Sequence, residues 1–151
     1  MSTGKDKFIG RIIIYVDGCS KGNPGPAAVG IVVVNGDNED EVLKKHAKYL
    51  GGTFTNQTAE YYAVLEALTI APSICTREIE IRSDSQLVMK QMNREFRIKK
   101  PHLLKLHEEI RAKELIFEKV IYTQVRREHL RIKEADRLAD VAVSKVLEGT
   151  K

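Results

Sequence analysis

From Arg11 to Val16 the chain is almost wholly apolar and rich in β-branched residues, the pattern of a strand covered on both faces. Ala28 to Val34 repeats it, and the glycines and prolines between Gly18 and Pro26 supply the turn that separates the two. Beyond the turn-like "NGDNED", a third strand over roughly Val42 to Leu50 closes an antiparallel meander. The period then changes. In "TNQTAEYYAVLEALTIA" apolar residues recur at helical spacing until Pro72 stops them. "REIEIRS" alternates and places Ile79 and Ile81 on one face of a fourth strand. "SQLVMKQMN" reads as a short helix and "PHLLKLHEEIRAK" as another that opens at Pro101. "FEKVIYTQV" is the fifth strand and "KEADRLADVAVSKVL" the closing helix.

The order β-β-β-α-β-α-α-β-α predicts an α/β fold with a five-stranded mixed sheet. The first three strands form the meander, and helical crossovers set the fourth and fifth parallel to the first. One edge of such a sheet collects distant chain ends. The first strand is expected to finish there with Asp17 and the fourth with Asp84, and the helices after the third and fifth strands begin there.

Four carboxylates follow from this arrangement. Tyr61, Val64, Leu65 and Leu68 form the buried stripe of the first long helix; Glu60 borders that stripe, and Glu66 points away from it as a solvent residue. On the last helix Ala135, Ala139, Ala142, Val143 and Val146 form the buried face, bordered by Asp136, with Asp140 further round. Singly, each acid has a local explanation: Asp17 as a turn residue, Asp84 as a cap, Glu60 and Asp136 as first-turn acids. Gathered at one edge, Asp17, Glu60, Asp84 and Asp136 repel one another unless cations neutralise them. Oxygen ligands without a His or Cys cluster select a hard ion, Mg²⁺ or Mn²⁺, over zinc. Two such ions ~4 Å apart can drive in-line displacement at a phosphate, which a nuclease requires.

Composition narrows the setting. The 151 residues suit one domain, over 11–148, after a short N-terminal extension at 1–10. No apolar stretch has the length of a membrane span and the N-terminus has no signal-peptide core, so a cytoplasmic protein without membrane contact is expected. Cys19 and Cys75 are too few for a disulfide framework and read as free thiols. The net charge of +4 is mild, but it is concentrated in "REFRIKK" at 94–100 and "RREHLRIK" at 126–133, away from the acidic "GDNEDE" at 36–41. That distribution suits a polyanionic partner; solvated loops are the plainer explanation of each run.

The stretches "YVDGCSKGNPGPAAVGIV", "TFTNQTAEYYAVLEAL", "IRSDSQLVMKQMN" and "EADRLADVA" together resemble the type 1 ribonuclease H family, over nearly all of residues 11 to 147. The resemblance implies a catalytic quartet of Asp17, Glu60, Asp84 and Asp136 that holds two Mg²⁺ ions, with Mn²⁺ as a substitute. It implies hydrolysis of the RNA strand of an RNA/DNA hybrid, leaving 5′-phosphate and 3′-hydroxyl ends. Gly18, Ser20, Asn23, Asn56, Gln57 and Gln86 would line the substrate groove, where amides and hydroxyls reach minor-groove edges and 2′-hydroxyls. Thr55 and Ser85 would hold a backbone phosphate, with helix capping as the alternative for Ser85. His129 falls in the segment where the family often carries a histidine that assists proton transfer or product release; His46, His102 and His107 read as surface residues. A monomer is expected, with double-stranded RNA open as a second partner. The same fold without activity, gripping hybrids or double-stranded RNA, is the alternative function; the four intact acids speak against it. Unlike relatives with a tryptophan-bearing basic protrusion, this chain has no Trp, so hybrid affinity would rest on Arg94, Arg97, Lys99 and Lys100.

Overall fold

Residues 9–149 are described by the computed structural model; residues 1–8 of the expected extension lie outside them. The elements follow the expected order: β1 (Arg11–Ser20), β2 (Gly25–Asn35), β3 (Asn38–Phe54), α1 (Asn56–Ile70), β4 (Glu78–Ser83), α2 (Gln86–Met92), α3 (Pro101–Glu114), β5 (Lys119–Gln124) and α4 (Leu130–Gly149), with one 3-10 turn over Ala71–Ser73. They build one mixed sheet of order β3-β2-β1-β4-β5. β1–β2 and β2–β3 pair antiparallel, and β1–β4 and β4–β5 pair parallel.

β1 is central, which is why its apolar run is continuous. Ile12, Ile14 and Val16 join the larger core beneath α1, α2 and α3. Ile13 and Tyr15 point through the other face to Ile132 and Ala135 of α4. Local chemistry starts each helix. Thr55 caps α1 by accepting from Thr58 N at 3.1 Å, Ser85 caps α2 by accepting from Val88 N at 3.3 Å, and Pro101 opens α3. Among the described residues no helix is long and apolar enough to cross a membrane, and both cysteines are free thiols.

Several boundaries differ from expectation. β1 does not stop at Asp17; it runs on to Ser20, because the β2 ladder continues as far as Ser20 opposite Ala27 after the β4 ladder has ended. β3 is longer at both ends: an edge strand bonded on one side tolerates the polar residues 38–41 at its start, and the glycines Gly51 and Gly52 mask its continuation to Phe54. α4 begins at Leu130 and not at Lys133, with Lys133 N bonded to His129 O at 3.0 Å in its first turn. Glu60 and Asp136 are accordingly not first-turn acids.

Three surface assignments also change. Glu66 is not a solvent residue: it faces β3, taking His46 Nε2 at 2.7 Å and Lys48 Nζ at 3.7 Å. His46 is therefore half-buried, with its ring against the Glu66 carboxylate. His107 is half-buried too. It accepts from Arg111 Nε at 3.0 Å, and burial followed by the charge of Arg111 holds its pKa below the usual histidine range.

Candidate active site

β1 and β4 run side by side until Tyr15 stands opposite Arg82, and then they part. A strand that loses one neighbour exposes unpaired backbone groups on that side. Glu60 fills the gap: one carboxylate oxygen accepts from Gly18 N at 2.5 Å and the other from Ser83 Oγ at 3.1 Å. α1 comes this near only because residue 18 is glycine, since a Cβ there would lie 2.3 Å from Ala59 O and 2.7 Å from Glu60 N. Asp84 leaves β4 just beyond Ser83. Asp17, Glu60 and Asp84 thus each present an oxygen within 4.8 Å of the others, and the first two are buried.

Asp136 lies outside this trio and approaches it from the other side, its carboxyl within hydrogen-bond reach of that of Asp17. It is carried by α4, which packs on the opposite face of the sheet from α1, and is itself exposed. It still lines the same open cleft of about 610 Å³. α4 is drawn close by a second glycine: a Cβ on Gly30, the residue opposite Asp17, would lie 1.9 Å from Ala135 O.

The crowding shows in the acids' proton affinities. Burial pushes the Asp17 carboxyl far above the ordinary carboxylate range, and the charges of Glu60 and Asp136 add to the effect. Glu60 is also raised, chiefly by burial, against the pull of Gly18 N–H and of the Asp17 carboxyl. Asp84 is raised by burial, partly offset by Arg127, whose Nε stands 3.9 Å away. Raised carboxyls bind protons that the unfolded chain has already released, so the metal-free fold loses stability as pH rises. The loss begins above about pH 4, where unfolded carboxyls ionise, and continues through neutrality as the folded groups ionise in turn. Thermal melts in chelator between about pH 4 and 8 are expected to show a falling midpoint, and Mn²⁺ to restore it. A midpoint that climbs over that range would contradict the crowding.

A family model described as reverse transcriptase-like matches residues 15–142. Ribonuclease HI of Halobacterium salinarum is 42% identical over 107 residues, 71% of this chain and 51% of that protein. The type 1 RNase H structure from the same archaeon superposes with a TM-score of 0.83 at 38% identity, covering 90% of this chain and 99% of that one. This chain belongs to the type 1 ribonuclease H family. A bifunctional protein of Mycobacterium tuberculosis is 36% identical over 133 residues, 88% of this chain and 35% of its own length. The chain thus spans about a third of the mycobacterial relative and about half of the halobacterial one. LC11-RNase H1, solved in complex with an RNA/DNA hybrid, superposes with a TM-score of 0.80 at 31% identity over 90% of this chain and 99% of that one.

The other residues expected of a ribonuclease H site are dispersed around the acids. Gly18, Asn56 and Ser85 line the acid cleft. Ser20 and Asn23 brace it: Asn56 Oδ1 accepts from Ser20 N at 2.9 Å, and Asn56 N donates to Asn23 Oδ1 at 2.9 Å, tying the β1–β2 turn to α1. Thr55 lines a neighbouring groove with Tyr62 and His102, and Gln57 a third with Phe96, Arg97, Lys99 and Lys100. Gln86 is exposed at the start of α2. His129 is not among the cleft-lining residues; its ring stacks on Tyr15 with centroids 4.8 Å apart.

Residue-level reading missed Cys19, Arg127, Glu128 and Lys133, all of which line the cleft. Cys19 had a signal, since it lies two residues beyond Asp17 on the same strand face. Its thiol is pushed up to about 11, first by burial and then by the charge of Asp17. The basic run at 126–133 is plain in the sequence, but only the fold shows which of its members line the cleft.

Proposed function

We propose that this chain is a metal-dependent endoribonuclease that hydrolyses the RNA strand of RNA/DNA hybrids. The observation that carries the reading is a trio of crowded carboxylates, two of them buried, opening into a cleft that also holds Arg127 and Lys133. Such a donor set fits a hard divalent cation: oxygen only, converging, and holding protons where no cation compensates it. Asp17, Glu60 and Asp84 would hold Mg²⁺, with Asp136 completing a site for two ions. Bound there, the ions supply positive charge for both the entering and the departing oxygen of an in-line displacement. Water adds to phosphorus, the bond to the 3′-oxygen breaks, and 5′-phosphate and 3′-hydroxyl ends remain. Arg127 and Lys133 face the phosphates, and Asn56 and Gly18 stand where a sugar edge approaches. The role implied for His129 in proton transfer would require its ring to leave Tyr15.

The groove holding Gln57, Phe96, Arg97, Lys99 and Lys100 offers the second strand cations and one exposed ring, in place of the missing tryptophan. Binding of labelled hybrid to the Asp84→Asn protein should weaken steeply with salt. Lys99→Ala with Lys100→Ala should lower the log–log slope by about 1 to 2 units. An unchanged slope would place the DNA strand elsewhere. The activity itself is tested by incubating a labelled hybrid with Mg²⁺ and with chelator, using Asp84→Asn as control. Cleavage only by the unaltered protein with metal supports the enzyme; binding without cleavage would leave a hybrid-gripping module.

A further inference from the structure

Two residues before Asp17, on the same face of β1, Tyr15 is fully buried. Its hydroxyl donates to Glu39 Oε1 at 2.8 Å and accepts from Arg82 Nη1 at 2.8 Å, and the Arg82 guanidinium lies 5.5 Å from its ring centre. The stacked His129 ring brings Nε2 to 3.4 Å from the same hydroxyl. His129 Nδ1 accepts from Arg131 N at 3.1 Å, which leaves the proton of a neutral ring on Nε2, facing the tyrosine oxygen. Arg131 Nη2 reaches Glu39 O at 3.2 Å.

These contacts join the segments that lead to three acids of the cleft. Tyr15 precedes Asp17 by two residues, Arg82 precedes Asp84 by two, and His129 precedes the helix that carries Asp136. Glu39 of β3 is their common anchor. The first turns of α4 also rest on the sheet through Ile132 and Ala135, through the close approach of Ala135 to Gly30, and through Glu134, 3.8 Å from Lys45 Nζ; the Tyr15 contacts add the polar ties at the helix start. A buried tyrosine hydroxyl demands partners, and this one takes them from the elements whose relative position sets the distance between Asp136 and the trio.

We propose that Tyr15 is a positioning residue for the hydrolysis described above: its ring and hydroxyl hold the start of α4 against Glu39 and Arg82, and so fix Asp136 relative to Asp17. The proposal rests on that reading of the cleft. It makes His129 a packing partner of Tyr15 and not a proton carrier.

Tyr15→Phe keeps the ring and removes the hydroxyl. One measurement needs no activity: amide hydrogen exchange from Arg131 to Asp136 should quicken by about tenfold, with β1 and α1 unchanged. His129→Ala should quicken the same amides. Unaltered exchange in either variant overturns the proposal. The second measurement is cleavage of a labelled hybrid with Mg²⁺. Tyr15→Phe should lower kcat by about tenfold and leave KM within about twofold, the scale of a displacement well under an ångström. In an Asp136→Asn background the same substitution should change kcat by less than about twofold, because it acts through the carboxylate already removed. Equal losses in both backgrounds, or a loss confined to KM, overturn it. An unaltered protein that leaves the hybrid intact defeats the reading of the cleft, and the exchange rates still decide whether Tyr15 holds α4.

Discussion

Asp17→Asn is expected to reduce metal-dependent cleavage of an RNA/DNA hybrid by at least about 10³-fold and, in the same protein, to raise the melting temperature measured in chelator. The loss follows from removing a charge and an oxygen donor at the centre of the trio. The gain is the less ordinary result, since most substitutions of buried residues destabilise. Asp17 is buried beside Glu60 and within the field of Asp136, so its charged form opposes folding whenever no cation is bound. An amide of the same shape removes that opposition. The stabilisation should be about 1–2 kcal/mol, or roughly 3–6 °C for a chain of this size. It should vanish below about pH 4, where the wild-type carboxyls are protonated in both folded and unfolded states. Scanning calorimetry in chelator and in Mg²⁺ reads both signs: Mg²⁺ should reverse the order of the two proteins. A variant less stable than wild type in chelator would show that the acids are not crowded.

Gly30→Ala carries a large expected cost in stability. The added methyl would sit 1.9 Å from Ala135 O and 2.9 Å from Ala139 N, both backbone atoms of α4. No side chain can swing aside, so the helix must move off the sheet. Overpacking of this kind costs about 3 kcal/mol or more. Asp136 follows Ala135 directly and moves with it, so cleavage should fall beyond what the unfolded fraction explains. Gly149→Ala is the control, because a methyl there meets nothing within 4 Å. Urea titrations of both variants, with cleavage measured well below the midpoint, separate the effects. Wild-type stability in Gly30→Ala would mean that α4 does not lie this close to β2.

Much of the fold is legible along the chain because it depends on short-range periods. The apolar run of β1, the alternation of β4 and the helical spacing of α1 each lie within one element, and their order leaves few topologies. Legibility fails where a partner far along the chain decides. Acidic and amide residues at the start of β3 and glycines near its end conceal a strand that the β2 ladder maintains. Glu66 looks like a solvent residue on a helical wheel, but a wheel carries no knowledge of His46 and Lys48 across the gap. The start of α4 was hidden in a basic run that composition alone assigns to a loop.

The candidate site divides in the same way. Residue type, spacing and element order were enough to bring Asp17, Glu60, Asp84 and Asp136 to one end of the sheet and to name a hard cation as their natural companion. Tertiary structure alone decided that three converge while the fourth meets Asp17 from α4, that Glu60 occupies the opening where β1 and β4 separate, and that His129 lies against Tyr15. The physical reason is one of range. Periodicity is a property of neighbours in sequence and assigns a side chain to a face, whereas the spacing between carboxylates depends on how closely two backbones approach, here limited by the absence of a Cβ at Gly18 and Gly30.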